Sequence, residues 1–149
     1  MKNIYLNIIK FNKISLSKTV KYLQKNHIVG LPTETVYGLA GNAYSRSAIK
    51  KIYSLKKRPK FNPLIIHYYN LAASYRDIEV NKNFLSLYEK LCPGPITFIL
   101  KKKDSSKITS LATSGLKTIA IRFPNNRTIK RIMKKLDFPL AIPSANMSS

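Results

Sequence analysis

Residues 31–40 read Leu31-Pro32-Thr33-Glu34-Thr35-Val36-Tyr37-Gly38-Leu39-Ala40. With the apolar pair Ile28-Val29 before it, this stretch predicts a buried strand that ends at Pro32, because proline has no N–H to donate to a sheet ladder. Polar groups at the end of a buried strand are typical of ligand sites in α/β sheets. A structural interpretation is equally open, in which Thr33 or Thr35 caps a following helix and Glu34 lies in its first turn.

On both sides of this stretch, strand and helix patterns alternate. The strand patterns cover 3–9, 28–32, 64–68, 96–100, 118–122 and 140–142. The helix patterns cover 18–26 after a capping Ser17, a segment from Ser45 or Ser47 to Arg58, then 82–91 and 129–136. Such alternation predicts an α/β fold, a twisted open mixed sheet with flanking helices.

Composition indicates one globular domain without a membrane anchor. The chain has 149 residues, of which 44% are hydrophobic, and this length suffices to bury a core. No apolar run approaches the roughly 20 residues that a bilayer span needs, and the N-terminus is too polar for a signal peptide. Cys92 is the single cysteine, which excludes an internal disulfide. We expect a cytoplasmic protein that does not contact membranes.

The net charge of +21 has two interpretations. A surface this basic attracts polyanions such as tRNA or ATP. The same charge also follows from a composition rich in Lys, Asn, Ile and Tyr, as in AT-rich genomes. Lysines far outnumber arginines, whereas selection for bidentate phosphate recognition would favour Arg. Charge alone therefore does not identify a ligand.

The acidic residues offer little catalytic chemistry. Only Glu34 lies in a motif-like setting, and we interpret Asp77 and Glu79 as solvent-exposed loop residues. The sequence contains no metal-ligand spacing, no Walker A loop and no nucleophile elbow. No metal site is predicted, and we expect a divalent ion to arrive on a substrate such as ATP.

Cations gather where the second helix pattern ends, at Lys56-Lys57-Arg58 before Pro59. They could simply complement the helix dipole, which is worth about 0.3–1 kcal/mol. Alternatively, Pro59 biases Arg58 towards an extended conformation. Lys56 and Arg58 would then share one side and Lys57 the other. A rigid cation pair of this kind suits a phosphate or a carboxylate.

Three further signals are weak when taken singly. A lone strand histidine such as His67 is more often a core residue than a ligand. Arg122 ends an apolar strand, where a buried charge is costly without an anionic partner. The tripeptide Ser144-Ala145-Asn146 is explained by a turn alone.

Six motifs nevertheless occur in one order. They are residues 31–39, Lys56-Lys57-Arg58-Pro59, Asn62-Pro63-Leu64-Ile65-Ile66-His67, Pro93-Gly94-Pro95-Ile96-Thr97, Ile119-Ala120-Ile121-Arg122-Phe123-Pro124 and Pro143-Ser144-Ala145-Asn146. From about residue 15 to 149 the chain thereby resembles the YrdC-like family, the threonylcarbamoyl-AMP synthases. The resemblance implies a twisted open α/β sheet around a basic concave site.

The resemblance also implies a reaction. L-threonine, bicarbonate and ATP would form threonylcarbamoyl-AMP and pyrophosphate, with Mg²⁺ carried by ATP. Downstream tRNA-modification proteins would use the product to modify an adenosine beside the anticodon of tRNA. The alternative is a basic module that binds double-stranded RNA or tRNA without catalysis.

Transferred by motif position, the resemblance implies roles for nine residues, as follows. Threonine would be bound by Thr35, His67, Arg122 and Ser144, and ATP by Arg58, Asn62, Thr118 and Asn146. Lys56 would join Arg58 in neutralising charge as N-carboxylated threonine attacks the α-phosphate, so these two residues are the expected catalytic pair. Thr33 could substitute for Thr35, because residues two apart share a face of an extended segment.

One departure concerns the C-terminus. YrdC-like proteins continue for several tens of residues beyond the Ser-Ala-Asn motif, and a Ser-Thr-Val segment there helps to close the site. This chain ends at Ser149. We therefore expect residues 1–149 to form a single YrdC-like domain that is incomplete at its C-terminal end.

Overall fold

The computed structural model describes residues 8–146. They form one six-stranded sheet in the order β1-β2-β6-β3-β5-β4. The strands are β1 (Val29–Pro32), β2 (Tyr37–Asn42), β3 (Ile65–His67), β4 (Thr97–Lys101), β5 (Thr118–Arg122) and β6 (Leu140–Ala141). The helices are α1 (Lys13–Gln24), α2 (Arg46–Lys56), α3 (Leu71–Ser74), α4 (Lys82–Leu91) and α5 (Arg127–Met133).

The sheet is mixed, as the sequence predicts. Strands β1 and β2 form an antiparallel hairpin, and β6 lies antiparallel between β2 and β3. Strand β3 runs parallel to β5, and β4 closes the other edge antiparallel to β5. The predicted α/β fold with flanking helices is confirmed.

Helices cover the two faces of the sheet unequally. On one face, α2 and α4 pack on side chains from the centre of the sheet, including Ile66 and Ile121, in one large apolar cluster. On the other face, α1 and α5 pack only over β1, β2 and β6, around Leu31, Ala40 and Leu140. Within residues 8–146 no helix therefore covers the second face of β3, β5 and β4, and Ile99 on β4 is 73% exposed there. We call this surface the open face.

The helix that Thr33 or Thr35 might have capped is absent, and that interpretation is wrong. The chain instead reverses into β2. The Thr33 hydroxyl accepts the N–H groups of Thr35 at 3.2 Å and Val36 at 3.1 Å and donates to the Val36 carbonyl, which fixes the turn. Gly38 is required at its position, because a Cβ there would collide with the Ile142 side chain and lie 3.1 Å from the Pro143 carbonyl.

The first helix begins earlier than predicted. Asn12, not Ser17, caps α1: its side chain accepts the Ser15 N–H at 2.9 Å, while the Ser15 hydroxyl accepts the Asn12 N–H at 2.7 Å. This reciprocal pair satisfies two N–H groups that would otherwise lack partners. Of the predicted strand at 3–9, residues 1–7 lie outside the described part of the chain, and residues 8 and 9 belong to no strand.

Other boundaries agree more closely with the sequence patterns. Ser45 caps α2 by accepting the Ala48 N–H at 3.1 Å. The predicted helix over 82–91 and strand over 118–122 are confirmed. The short helix α3 was not predicted, and α5 begins and ends a few residues before the predicted 129–136.

The interpretation of Asp77 as a solvent-exposed loop residue is wrong, because Asp77 is only 1% exposed. Its carboxylate accepts hydrogen bonds from the hydroxyls of Tyr44 at 2.8 Å, Tyr68 at 2.9 Å and Ser106 at 2.7 Å. These donors come from distant parts of the chain, so Asp77 holds three loops together. Glu79 is exposed as expected and pairs with Lys101 at 3.0 Å.

We expect Asp77→Ala to lower the free energy of unfolding by about 3 kcal/mol, because the variant leaves buried hydroxyl donors without an acceptor. Urea denaturation measures this loss. Glu79→Ala is the matched control and should cost less than about 1 kcal/mol, as for an exposed ion pair. Equal and small losses in both variants would contradict a structural role for the Asp77 cluster.

Candidate functional site

The open face presents three rows of side chains from neighbouring strands. The first row is His67, Arg122 and Thr97; the second is Ile65, Ala120 and Ile99; the third begins with Thr118 and Lys101. Strands lie about 4.8 Å apart and residues rise about 3.3 Å along them. The first and third rows are therefore about 13 Å apart. The open face is an elongated surface with two chemically different ends.

His67 lies at the first end and is 3% exposed. Its Nδ1 atom is 3.3 Å from the Ile65 carbonyl oxygen. Burial, and then the positive charge of Arg122, lower the pKa of His67 from 6.5 to about 4. The imidazole is therefore neutral at pH 7, and its ring nitrogens provide one donor and one acceptor.

This low pKa predicts a pH-dependent stability. The unfolded imidazole takes up a proton near pH 6.5, whereas the folded one does so near pH 4. The unfolded state binds more protons between these values, so the contribution of His67 to folding is present above pH 6.5 and is lost as the pH falls. We expect the contribution of His67 to the free energy of unfolding to fall by about 3 kcal/mol between pH 7 and pH 4.

The measurement is urea denaturation between pH 4 and 7. His67→Asn is the comparison variant, and its stability should fall less steeply in this range. If the two proteins show parallel pH profiles, His67 is not the residue that titrates.

Arg122 ends β5 beside His67 and is held by its other neighbour. Its Nε and Nη2 atoms donate to the Thr97 hydroxyl at 3.2 and 2.8 Å. Among residues 8–146 the only ion pair is Lys101–Glu79, so Arg122 has no carboxylate partner there. The half-buried guanidinium thus keeps donors available for an anion that arrives from solution.

Thr97 contacts the candidate site through Arg122 but was not among the residues predicted for it. It belongs to one of the quoted motifs, but nothing in the sequence assigned it a role. The available signal was a strand hydroxyl that antiparallel pairing could place opposite Arg122, and one sequence does not reveal that register.

Two cations lie at the other end of the strands, near the start of β3. Lys56 is 2% exposed, and its Nζ donates to the carbonyl oxygen of Ser144 at 2.7 Å and to that of Asn146. Arg58 donates from Nε to the Asn62 carbonyl at 3.2 Å and from Nη2 to the Pro63 carbonyl at 3.1 Å. Burial, and then the charge of Arg58, lower the pKa of Lys56.

The path of this segment differs from the extended run proposed for it. Helix α2 ends at Lys56, and Lys57 has a left-handed conformation with φ of 51°. This reversal leaves the Lys57 side chain exposed while Lys56 is buried. Separate faces for the two lysines therefore arise from a helix C-cap and not from strand geometry.

The structure divides the predicted site residues between these ends. Lys56, Arg58, Asn62, Ser144 and Asn146 lie together through the contacts above. Thr118 begins β5 and faces the same way as Arg122, four residues earlier. Ser144 was expected to bind threonine, and it lies on the segment that follows β6, whose Leu140 is opposite His67. Ser144 follows four residues later, beside Gly38.

Thr35 lies in the turn between β1 and β2, exposed, with its hydroxyl 3.4 Å from that of Thr33. In the same turn the Glu34 carboxylate accepts the N–H groups of Asn125 and, at 3.3 Å, Asn126, just beyond β5. Its negative charge acts to raise the pKa of His67, against the larger effects of burial and Arg122. The turn therefore lies beside the His67 end.

Other classes of site find little support in this part of the chain. No group of three or more His, Cys, Asp or Glu residues within 8–146 is arranged to hold a metal ion. Over the same residues, no helix combines the length and apolar character needed to span a bilayer.

Comparison with known proteins places these residues in context. The Sua5/yciO/yrdC family model, described as "Telomere recombination", matches residues 21–149. The threonylcarbamoyl-AMP synthase of Bacillus subtilis (strain 168) is 36% identical over 139 residues, covering 92% of this chain and 40% of the relative. That of Pyrococcus abyssi (strain GE5 / Orsay) is 37% identical over 132 residues, covering 85% and 37%.

The fold has a close counterpart among solved structures. The crystal structure of P. abyssi Sua5 complexed with L-threonine superposes with a TM-score of 0.87 at 32% identity. It covers 94% of this chain and 41% of that one. The chain thus spans about 40% of the length of these relatives.

Proposed function

The chain belongs to the Sua5/YciO/YrdC family, and on that premise we propose that it acts as a threonylcarbamoyl-AMP synthase. It would join L-threonine, bicarbonate and ATP and release pyrophosphate and water, the water being lost when bicarbonate carboxylates the threonine amine. One observation carries the proposal: anion-binding groups lie near both ends of the central strands. Arg122 at the end of β5 has no carboxylate partner among residues 8–146, and Lys56 and Arg58 contact the segments after β6 and before β3. A reaction between an amino acid and a nucleoside triphosphate needs two anion sites, one for the carboxylate and one for the phosphates.

At the first end, Arg122 would pair with the carboxylate of threonine. His67 is neutral at pH 7 because of its low pKa. It therefore accepts a hydrogen bond from the substrate without repelling an ammonium group. Thr35, or Thr33 in its place, would supply a hydroxyl from the turn. Such fixed donors and acceptors orient the substrate amine towards the centre of the open face.

At the second end, Lys56 and Arg58 would neutralise the phosphates of ATP, with Thr118 and the Asn62 and Asn146 side chains holding the nucleotide. The carbamate oxygen of N-carboxylated threonine attacks the α-phosphate, and the bond to pyrophosphate breaks. Negative charge builds up on the transferred group, so positioned cations lower the barrier. The Ser144 hydroxyl would bind threonine, as its motif position implies, while its carbonyl accepts a hydrogen bond from Lys56.

Mg²⁺ would enter with ATP, because phosphate oxygens are hard ligands that it prefers. Within the described residues the phosphate end offers cations and amides. These cations and amides would bind and orient the nucleotide, and Mg²⁺ would be held by the phosphates.

The test is pyrophosphate release with each substrate omitted in turn. We expect release when ATP, threonine and bicarbonate are all present, and no release when any one of the three is omitted. Release that ignores threonine would refute the assignment. A module that only binds RNA is not favoured, because the curated relatives are synthases, and it predicts no release at all.

A further inference from the structure

The turn over residues 33–36 lies at the tip of the hairpin formed by β1 and β2. Strand β2 pairs with β6 only at Gly41 and Asn42, so the tip projects beyond the continuous part of the sheet. The hydrogen bonds of the Thr33 hydroxyl fix the shape of the turn. Because these bonds join residues of the turn to one another, they do not fix its position relative to the other site residues.

Glu34 makes the contact between this tip and the end of β5. Its carboxylate accepts the N–H groups of Asn125 and, at 3.3 Å, Asn126. On the side towards β6, the hairpin is held just after the turn, where the Ala145 N–H donates to the Tyr37 carbonyl at 2.7 Å. Among residues 8–146, the two Glu34 bonds are the hydrogen bonds that join residues 33–36 to chain outside the hairpin.

The segment that receives this carboxylate is held firmly. It begins directly after Arg122 with Phe123, which is 1% exposed and packs edge-on against the Tyr88 ring at 4.8 Å between centroids. It ends at Asn126, whose side chain caps α5 by accepting the Ile129 N–H at 3.1 Å. A contact to this segment ties the turn to the same framework that carries the Arg122 guanidinium.

A carboxylate at this position is unusual for the chain. Glu34 is one of six acidic residues against 27 basic ones, and the one ion pair among residues 8–146 does not include it. Its partners are backbone N–H groups, and hydrogen bonds to an ionised acceptor are stronger than those between neutral groups. Since the donors are backbone groups, the side chain at position 34 alone decides whether the contact forms.

We propose that Glu34 is a positioning residue whose carboxylate fastens the turn carrying Thr35 to the segment that follows Arg122. The contact sets the spacing between the Thr35 hydroxyl and the Arg122 guanidinium. The identity of the ligand, L-threonine, rests on the proposed function, whereas the contact does not. Holding the turn in place before threonine arrives spares the cost of ordering it on binding.

The test compares three substitutions by isothermal titration with L-threonine and, separately, with ATP. Glu34→Gln keeps the length and an acceptor oxygen but not the charge, Glu34→Asp keeps the charge but is one methylene shorter, and Glu34→Ala removes both. We expect Glu34→Ala and Glu34→Asp to weaken threonine binding by about 10-fold, the scale for losing a hydrogen bond to a charged group. Glu34→Gln should retain most of the threonine affinity, and ATP affinity should be unchanged in all three variants.

Glu89→Ala is the matched control, because it removes an exposed carboxylate from α4, and it should bind threonine like the wild type. A second measurement needs no ligand: amide hydrogen exchange followed by NMR. The Asn125 and Asn126 amides should exchange faster in Glu34→Ala and Glu34→Asp than in Glu34→Gln, because local opening is no longer opposed by the contact. The amides of β5 should exchange at the wild-type rate if the variants are folded.

Unchanged exchange at Asn125 and Asn126, or equal threonine affinity in all variants, would overturn the proposal. Loss of affinity in Glu34→Gln but not in Glu34→Asp would also overturn it, because the negative charge and not the anchoring contact would then matter. A wild type that does not bind threonine would refute the proposed function, while the exchange rates would still decide whether Glu34 anchors the turn.

Discussion

Arg58→Ala is expected to slow pyrophosphate release by about 100-fold or more, the scale for removing one preorganised charge donor. The variant should stay folded, because the hydrogen bonds that the structure gives the Arg58 side chain go to the backbone carbonyls of Asn62 and Pro63, nearby in the chain. Steady-state kinetics and thermal denaturation on the same samples measure the two effects separately.

Lys56→Ala should lose activity to a similar extent but should also be less stable. Removing a lysine that only complements a helix dipole costs about 0.3–1 kcal/mol of stability. Lys56 instead donates to two carbonyls of the Ser144–Asn146 segment, and hydrogen bonds to charged groups are worth about 1.5–3 kcal/mol. Activity is therefore best compared at a temperature at which both variants are folded.

Lys57 is the internal control, and its backbone conformation determines which residue should replace it. With φ of 51°, glycine fits the backbone better than alanine. Lys57→Gly removes the intervening charge and should leave turnover near the wild-type value. Equal losses in Lys56, Lys57 and Arg58 variants would mean that overall basicity matters and not a defined site.

Much of the fold follows from local patterns in the sequence. Helix α4 and strand β5 were predicted with the observed boundaries, because each has apolar side chains at one clear period. Helix α2 begins at Ser45 for a local reason as well, since a serine hydroxyl can accept the orphan N–H of the first turn.

Strand β2 was missed because it carries no strand pattern. Its residues include Gly38 and Gly41, which disfavour a strand by propensity. Packing selects them: a Cβ at Gly41 would lie 3.0 Å from the Ile52 Cδ1 atom and 3.1 Å from the Ile28 Cγ2 atom. Small side chains here let a helix approach the sheet, and this long-range requirement is invisible locally.

The candidate site shows the same contrast between features that local sequence predicts and features that depend on long-range contacts. Motif positions singled out the two cations and the strand residues His67 and Arg122 as expected site residues. They did not reveal that Thr97 holds Arg122, or that Asp77 is buried among hydroxyls, because both contacts depend on strand register and loop packing. The environment that keeps His67 neutral likewise arises only once β3 is covered by its neighbours.

Arg122→Ala is expected to weaken threonine binding by about 30-fold or more, because a desolvated charge pair at a binding site is worth about 2–5 kcal/mol. Isothermal titration with L-threonine measures the change. Arg122→Lys should recover little, since an ammonium cannot offer a planar pair of donors to a carboxylate while also donating to Thr97.

A change at Thr97 tests the orientation of the Arg122 guanidinium separately, because the Thr97 side chain need not contact the bound L-threonine. Thr97→Val keeps the shape of the side chain but removes the acceptor for Nε and Nη2 of Arg122. We expect threonine affinity to fall by about 10-fold, in line with the loss of a hydrogen bond to a charged group. Thr97→Ser restores the hydroxyl and should restore binding. If the serine and valine variants bind threonine equally, the guanidinium is positioned by packing and the hydroxyl has no part in the site.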